Sequence, residues 1–251
     1  METQETLCNH RSIRKFQNKP IPQNILNDIL EAGIRASNTG NMQIYSIVVS
    51  QDPERKKELA KLHFGQPCVE QAAAVVTVCV DLNRFHKWCN INNAEKSYDN
   101  FLWFYTGSID ASILSQNLCI AAENQGLGIC YLGTVTYMAK PIAKFLELPK
   151  GTVPVTTIVM GYPDEQPDLT PRLPLEAVIH HETYKDYSPE DIRRLYTPFE
   201  ELPAMKAFVE ENQMPNLANV FTQKRYVKKD NLAISKSFLE FIEEQEFMNN
   251  D

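Results

Sequence analysis

No stretch of this 251-residue chain approaches the roughly 18 consecutive apolar residues that a bilayer-spanning helix requires. Positive charge is also short. The 25 Lys and Arg stand against 32 Asp and Glu, a formal net charge of −7, so no global field favours a nucleic-acid backbone or an anionic membrane. The opening Met1 to Lys15 is polar and charged and lacks the hydrophobic segment of an export signal. The six cysteines include no C-x-x-C pair and are spread along a chain large enough to fold without staples. There is no G-x-G-x-x-G, no Walker loop and no G-x-S-x-G. Together these absences predict a soluble, cytoplasmic protein with no nucleic-acid or membrane partner and no structural disulfides.

What is present is a globular composition, 43% hydrophobic and 10% aromatic, enough for one sizeable core or two small ones. Pro20-Ile21-Pro22 followed by Ile25, Leu26, Ile29 and Leu30 predicts a helix with one apolar face. Gln43 to Ser50 reads as a strand, and Asp52-Pro53 opens a charged helix through Leu62. Ala74 to Val80, apolar at nearly every position, predicts a strand buried on both faces. Ser108 to Gln125 is a helix apolar almost all round, stopped by Gly126 and Gly128. Strands at Ile129–Leu132 and Val153–Met160 follow, with a short helix over Lys140–Leu148 between them. Ser188-Pro189-Glu190-Asp191 begins a helical tail, and Ile234, Phe238, Phe241 and Ile242 mark another helix near its end.

Four segments carry candidate chemistry. In His10-Arg11-Ser12-Ile13-Arg14 two guanidinium forks and a hydroxyl can grip a phosphate; the plainer alternative is two solvated arginines. Ser37-Asn38-Thr39-Gly40-Asn41-Met42-Gln43 is a polar loop able to turn N–H groups toward a ligand, or simply a turn. The glycines flanking Ile129-Cys130-Tyr131-Leu132 permit a flat ligand or another backbone to approach closely. In Pro171-Arg172-Leu173-Pro174 flanking prolines hold one arginine, which lowers the entropy lost on binding an anion. His180-His181-Glu182 lacks a second ligand cluster, so no metal is expected. Trp88, Phe101, Trp103, Phe104 and Tyr105 form either a lid over an aromatic ligand or part of the core.

Taken together, these segments resemble the FMN-dependent nitroreductase family, and within it the NADPH-preferring, oxygen-insensitive NfsA-type branch. The matching pieces are His10 to Arg14, Phe64-Gly65-Gln66 before Val69-Glu70-Gln71-Ala72-Ala73, and Ala122 to Gly133. Gly161-Tyr162-Pro163 followed by Asp168 to Pro174 completes the set. The resemblance covers roughly residues 5 to 185. It implies an α+β fold, a central mixed sheet flanked by helices, in an intertwined homodimer whose two FMN sites are each built by both subunits. Residues 1–185 would form the FMN-binding core and 186–251 a C-terminal helical extension wrapping it.

The resemblance also implies site residues. His10, Arg11, Ser12, Arg14 and Arg172 would surround the FMN phosphate and ribityl chain. Asn38, Thr39, Gly40 and Gln66 would contact the ring system, and Tyr131, Leu132, Gly133 and Thr134 would pass along one face with backbone N–H groups. NADPH or NADH would deliver a hydride to the flavin, which would then reduce a nitroaromatic or quinone by two electrons, with no essential catalytic side chain. Two departures stand out. Thr170 occupies the place of a common family lysine, and the branch's Arg-rich loop has no match in Asn212 to Leu217, leaving Lys224-Arg225 and Lys228-Lys229 as substitutes. The alternatives are a flavin reductase whose acceptor is free FMN and a flavin-binding sensor module without turnover.

Overall fold

The computed structural model describes residues 2–96 and 98–249. Two compact units divide the chain, one formed by 1–168 with 236–251 and the other by 169–235.

The first unit is built on a four-stranded sheet of order β1-β2-β4-β3, with β1 Tyr45–Ser50, β2 Ala74–Asp81, β3 Gly128–Leu132 and β4 Thr152–Gly161. All three ladders are antiparallel, and among the described residues the parallel pairing expected of a mixed sheet is confined to one bridge between Ser12 and Ile129. Every residue of β2 is buried, as its apolar run predicts. Strand alternation sends Val76 and Val78 to one face and Val75 to the other.

Helices cover both faces. On the first lie α2 Gln23–Ile34, after α1 Thr3–Cys8, and the long α6 Phe101–Asn124; Leu26 and Ile29 meet Leu114 and Leu118 in the core. On the second lie α3 Pro53–Leu62, α4 Pro67–Gln71 and, past the one-turn α7 Thr134–Tyr137, α8 Ala139–Phe145. A third cluster joins Phe104, Leu82 and Val153 to Phe241, Ile242 and Phe247 from the end of the chain. Helix α5 Asn83–Ile91 follows β2, and α9 Pro189–Glu200, α10 Pro203–Glu211, α11 Leu217–Val220 and α12 Lys228–Glu244 make up the tail.

The local signals act as their chemistry requires. The Asp52 carboxylate accepts from the Arg55 N–H at 2.9 Å, so α3 begins at Pro53. Ser188 and Asp191 form a reciprocal capping box. Gly126 (φ +76°) ends α6 while the Leu127 N–H closes back onto the Ala122 carbonyl. Helix α6 starts seven residues before the expected Ser108, because the Asn100 side chain caps it by accepting from the Trp103 N–H. The added turns absorb the aromatic group and divide it: Phe104 is core, Trp103 stacks edge-on against Tyr98 at 4.2 Å, and Phe101, Tyr105 and Trp88 are exposed.

Candidate functional site

An extended strap precedes α2 and crosses the edge of the sheet. Ser12 bridges Ile129 in parallel, the Ile13 N–H donates to the Ile129 carbonyl at 2.8 Å, and Phe16 bridges Pro163. Buried Ile13 and Phe16 hold it down. The period-two alternation of an extended chain then sorts the cluster. Ser12 and Arg14 fall on the side of β3 that carries the Cys130 thiol, which burial pushes up and Arg14 pulls back. Arg11 and Ile13 instead line a cleft of about 650 Å³ together with Glu123, Gly128 and Glu165. The Arg11 Nε is buried there without a partner. His10 Nδ1 lies 2.7 Å from Glu123 Oε1, and burial pushes the Glu123 carboxyl up. The Glu165 carboxylate accepts from the backbone N–H groups of Arg14 and Lys15 at 2.6 and 3.1 Å. It is thus tied to the backbone, and Arg14 extends an exposed guanidinium beyond it.

Strand β3 carries the site to its other end. From Ile129 to Gly133 is roughly 13 Å of extended chain at about 3.3 Å per residue. Leu132 is buried, whereas Tyr131 is part-exposed with its hydroxyl donating to Gln116 Oε1 at 3.4 Å; burial pushes its phenol up. No atom lies within 4 Å of where a Cβ on Gly133 would be, so the backbone there faces open space. Immediately beyond, Thr134 Oγ1 accepts from Gln66 Nε2 at 3.4 Å and lies 2.7 Å from His63 Nδ1. Gln66 Nε2 also donates to the His63 carbonyl at 3.1 Å. Gln66 and Thr134, distant in sequence, are therefore one pair.

The Asn38-Thr39-Gly40 loop is held elsewhere, on α6. The buried Asp110 carboxylate accepts from both the N–H and the hydroxyl of Thr39 at 3.0 to 3.1 Å. The Asn38 side-chain carbonyl accepts from the Gln43 N–H at 3.1 Å, and Gly40, Asn41 and Gln43 all adopt left-handed backbone. The exposed residues Leu102, Tyr105, Ile109 and Ile113 follow one another along α6 on either side of Asp110 in the sequence.

In the second unit, Arg172 is exposed and its guanidinium donates to the carbonyls of Thr170 and Pro171 at 3.0 and 3.4 Å. His180 has both ring nitrogens engaged: Nδ1 accepts from the Lys185 N–H at 3.2 Å and Nε2 meets the Tyr187 hydroxyl at 3.1 Å. The Arg225 guanidinium stacks on Phe208 at 4.8 Å. Among the described residues no group of three His, Cys, Asp or Glu side chains could hold a metal ion, and no helix is long and apolar enough to cross a membrane.

His63, Asp110, Glu123 and Glu165 escape the sequence reading as functional residues. Asp110 had a signal, a single acid inside an otherwise apolar helical pattern. The other three had none, since their roles depend on contacts across 71 to 151 residues of chain.

Residues 7–162 match the model of the nitroreductase family. The chain belongs to that family. An NADPH-flavin oxidoreductase of Vibrio harveyi is 35% identical over 191 residues, 76% of this chain and 78% of its own length. An oxygen-insensitive NADPH nitroreductase of Salmonella typhimurium is 34% identical over 73% of this chain and 75% of its own. A solved structure from Bacteroides fragilis NCTC 9343 superposes with a TM-score of 0.96 at 47% identity, covering 98% of this nitroreductase-family chain and all of the other. These matches agree with the α+β architecture of a sheet flanked by helices and with the NfsA-type resemblance.

Proposed function

We propose that this nitroreductase-family chain is an NAD(P)H-dependent FMN oxidoreductase, a homodimer that reduces nitroaromatics or quinones by two electrons in ping-pong order. The observation that carries the reading is the path along β3. Ser12 and Arg14 stand at its head, Gly133 leaves open backbone beside it, and the Gln66–Thr134 pair stands at its end.

These residues fit FMN chemically. A guanidinium fork and a hydroxyl suit a phosphate, and bare backbone suits the face of a flat ring. Arg14 and Ser12 would hold the phosphate with His10, Arg172 being a further phosphate candidate on the family resemblance alone, and Gln66, Tyr131, Leu132, Gly133 and Thr134 would lie along the ring system. Bound FMN supplies the hydride chemistry, taking two electrons from NADPH or NADH and passing them on to the acceptor. The protein's part is to bind, to orient and to donate hydrogen bonds to the flavin's pyrimidine edge, beside which the Gln66–Thr134 pair would stand.

The exposed apolar residues of α6 support the proposed homodimer. Leu102, Tyr105, Ile109 and Ile113 lie in an order of three and four residues that repeats on one helix face. The Asn38-Thr39-Gly40 loop is anchored to the same helix by Thr39, which donates to Asp110, so dimerisation along α6 would present this loop to the partner's flavin. Residues 1–185 are assigned the flavin core and 186–251 the helical extension, whose Lys224-Arg225 and Lys228-Lys229 would meet the nucleotide phosphate. The six free thiols suit the reducing cytoplasm.

The deciding experiment is an absorbance spectrum of the purified protein followed by anaerobic addition of NADPH and NADH in separate cuvettes. Flavin bands that bleach with a nucleotide and return with a quinone are expected. A colourless protein that also fails to take up added FMN overturns the proposal. The second reading, a flavin reductase, is favoured by the name of the Vibrio harveyi relative. It requires rates that saturate with free FMN and ignore nitroarenes.

A further inference from the structure

His63 is wholly buried, yet it takes no part in the roles assigned above. Its position is set by the turn that ends α3. The His63 N–H closes the helix by donating to the Leu59 and Ala60 carbonyls, and the Gly65 N–H donates to the Ala60 carbonyl at 2.8 Å. Phe64 and Gly65 both adopt left-handed backbone, at φ +59° and +68°, which turns Phe64 out to 60% exposure while His63 faces the interior. A residue bearing a Cβ adopts that backbone only where its surroundings over-determine it.

Inside, the imidazole has one polar contact of its own, Nδ1 to Thr134 Oγ1 at 2.7 Å, and Nε2 is buried with no partner. Burial holds the ring neutral, with its pKa lowered to about 4. A neutral imidazole carries one proton. Placed on Nε2, that proton would be a buried donor with nothing to meet, and Nδ1 would consume the Thr134 proton. Placed on Nδ1, it is satisfied by Thr134 Oγ1, which already accepts from Gln66 Nε2 at 3.4 Å. Both lone pairs of the hydroxyl are then occupied by internal donors, and its proton is left to be donated outward. Thr134 is half-buried and follows Gly133, whose backbone faces open space, so a ligand lying there is within its reach.

We propose that His63 is a positioning residue: its Nδ1–H, together with the Gln66 amide, orders the Thr134 hydroxyl so that this hydroxyl donates a hydrogen bond to the bound flavin. The inference rests on the flavin reading of β3 given above. It adds to that reading a donor whose direction is fixed from inside the core rather than by the ligand.

The test titrates apoprotein with FMN, followed by quenching of flavin fluorescence, in wild type, His63→Leu, His63→Asn, Thr134→Val and the double variant H63L/T134V, with a thermal melt of each. The amide N–H of Asn can stand in for Nδ1–H. Expected are a loss of about tenfold in FMN affinity for H63L and for T134V, the scale of one hydrogen bond, and no further loss in the double variant. H63N should bind within about threefold of wild type, and it should retain the wild-type visible band of the bound flavin, which H63L and T134V shift alike. T134V binding FMN as wild type does, additive losses in the double variant, or H63N as weak as H63L at an unchanged melting temperature each overturn the proposal. If H63L fails to fold, T134V and H63N decide it. Wild-type apoprotein that takes up no FMN overturns the flavin reading itself, an outcome distinct from unaffected variants of a protein that does.

Discussion

Ile13 occupies the space that any side chain on Gly128 would need. A Cβ built on Gly128 would stand 2.6 Å from Ile13 Cγ1 and 2.7 Å from Ile13 Cβ. The glycine after α6 therefore admits the protein's own strap, which carries Ser12 and Arg14 to β3, and of the glycines flanking this strand Gly133 is the one whose backbone faces open space. Because a Cβ of branched Ile13 cannot swing aside, Gly128→Ala forces the strap outward. The expected cost is about 1–3 kcal/mol of stability, with weakened FMN retention, measured by denaturant unfolding and flavin titration. A G128A protein as stable as wild type would show that the strap is not pinned there.

The strap's alternation separates its two arginines, and the separation is measurable. Arg14→Ala and Arg172→Ala should each raise the FMN dissociation constant roughly 10- to 100-fold, the loss of a charge-assisted contact of about 1.5–3 kcal/mol. Arg11→Ala should change it by less than about threefold, since Arg11 lines the cleft shared with Glu123 and Glu165. Equal losses for Arg11 and Arg14 would sink this division.

Asp110 anchors the Asn38–Gly40 loop from within α6. Replacing it with Ala removes the acceptor for the Thr39 N–H and hydroxyl, at an expected cost of about 1–3 kcal/mol. The specific readout is amide hydrogen exchange: the Thr39 N–H should lose its protection while β2 keeps its own.

Mutating Ile109 to Glu puts a charge amid the exposed apolar residues of α6. The expected outcome is a shift from twice the 28.7 kDa chain mass to the chain mass itself in light scattering, together with loss of FMN. A wild-type protein that is already monomeric and yellow would refute the proposed homodimer.

Acid should destabilise the fold through His63. Its pKa falls from 6.5 in the unfolded chain to about 4 in the core, so between these values the unfolded state binds a proton that the folded state does not. Stability is then complete above about pH 6.5, falls as the pH drops toward 4, and levels off below, a change on the order of 3 kcal/mol. His86, also lowered by burial, acts in the same direction. In H63L the pH dependence across that window should flatten, as chemical denaturation at pH 7.5, 5.5 and 4.5 would reveal.

Much of the frame was legible in the chain because its signals are local. Asp52-Pro53 starts α3 by a cap three residues long, Gly126 ends α6 through left-handed backbone, and the run of Ala74 to Val80, apolar except at Thr77, has no stable place except between two helical layers. The start of α6 at Phe101 is not legible in the sequence, because Asn100 signals a cap only once the aromatic turn after it has a core to enter, and Phe104 enters one shared with Phe247. The antiparallel ladders were hidden too, since alternating helices and strands fit either strand direction until the order β1-β2-β4-β3 is known.

The sequence by itself determined which elements form, which face of each is apolar, and the family motif that gathers His10 to Arg14, Gln66 and the β3 glycines. The elements and their apolar faces follow from backbone preference and hydrophobic periodicity, which act over a few residues, and the motif rests on the resemblance to the family. Only the tertiary structure decided which side chains meet: that Arg11 turns from Arg14, that Thr39 belongs to Asp110, and that His63 stands behind Thr134, 71 residues away. Such pairings arise when distant segments are buried together, because a polar group withdrawn from water must find its partner wherever the packed core places one.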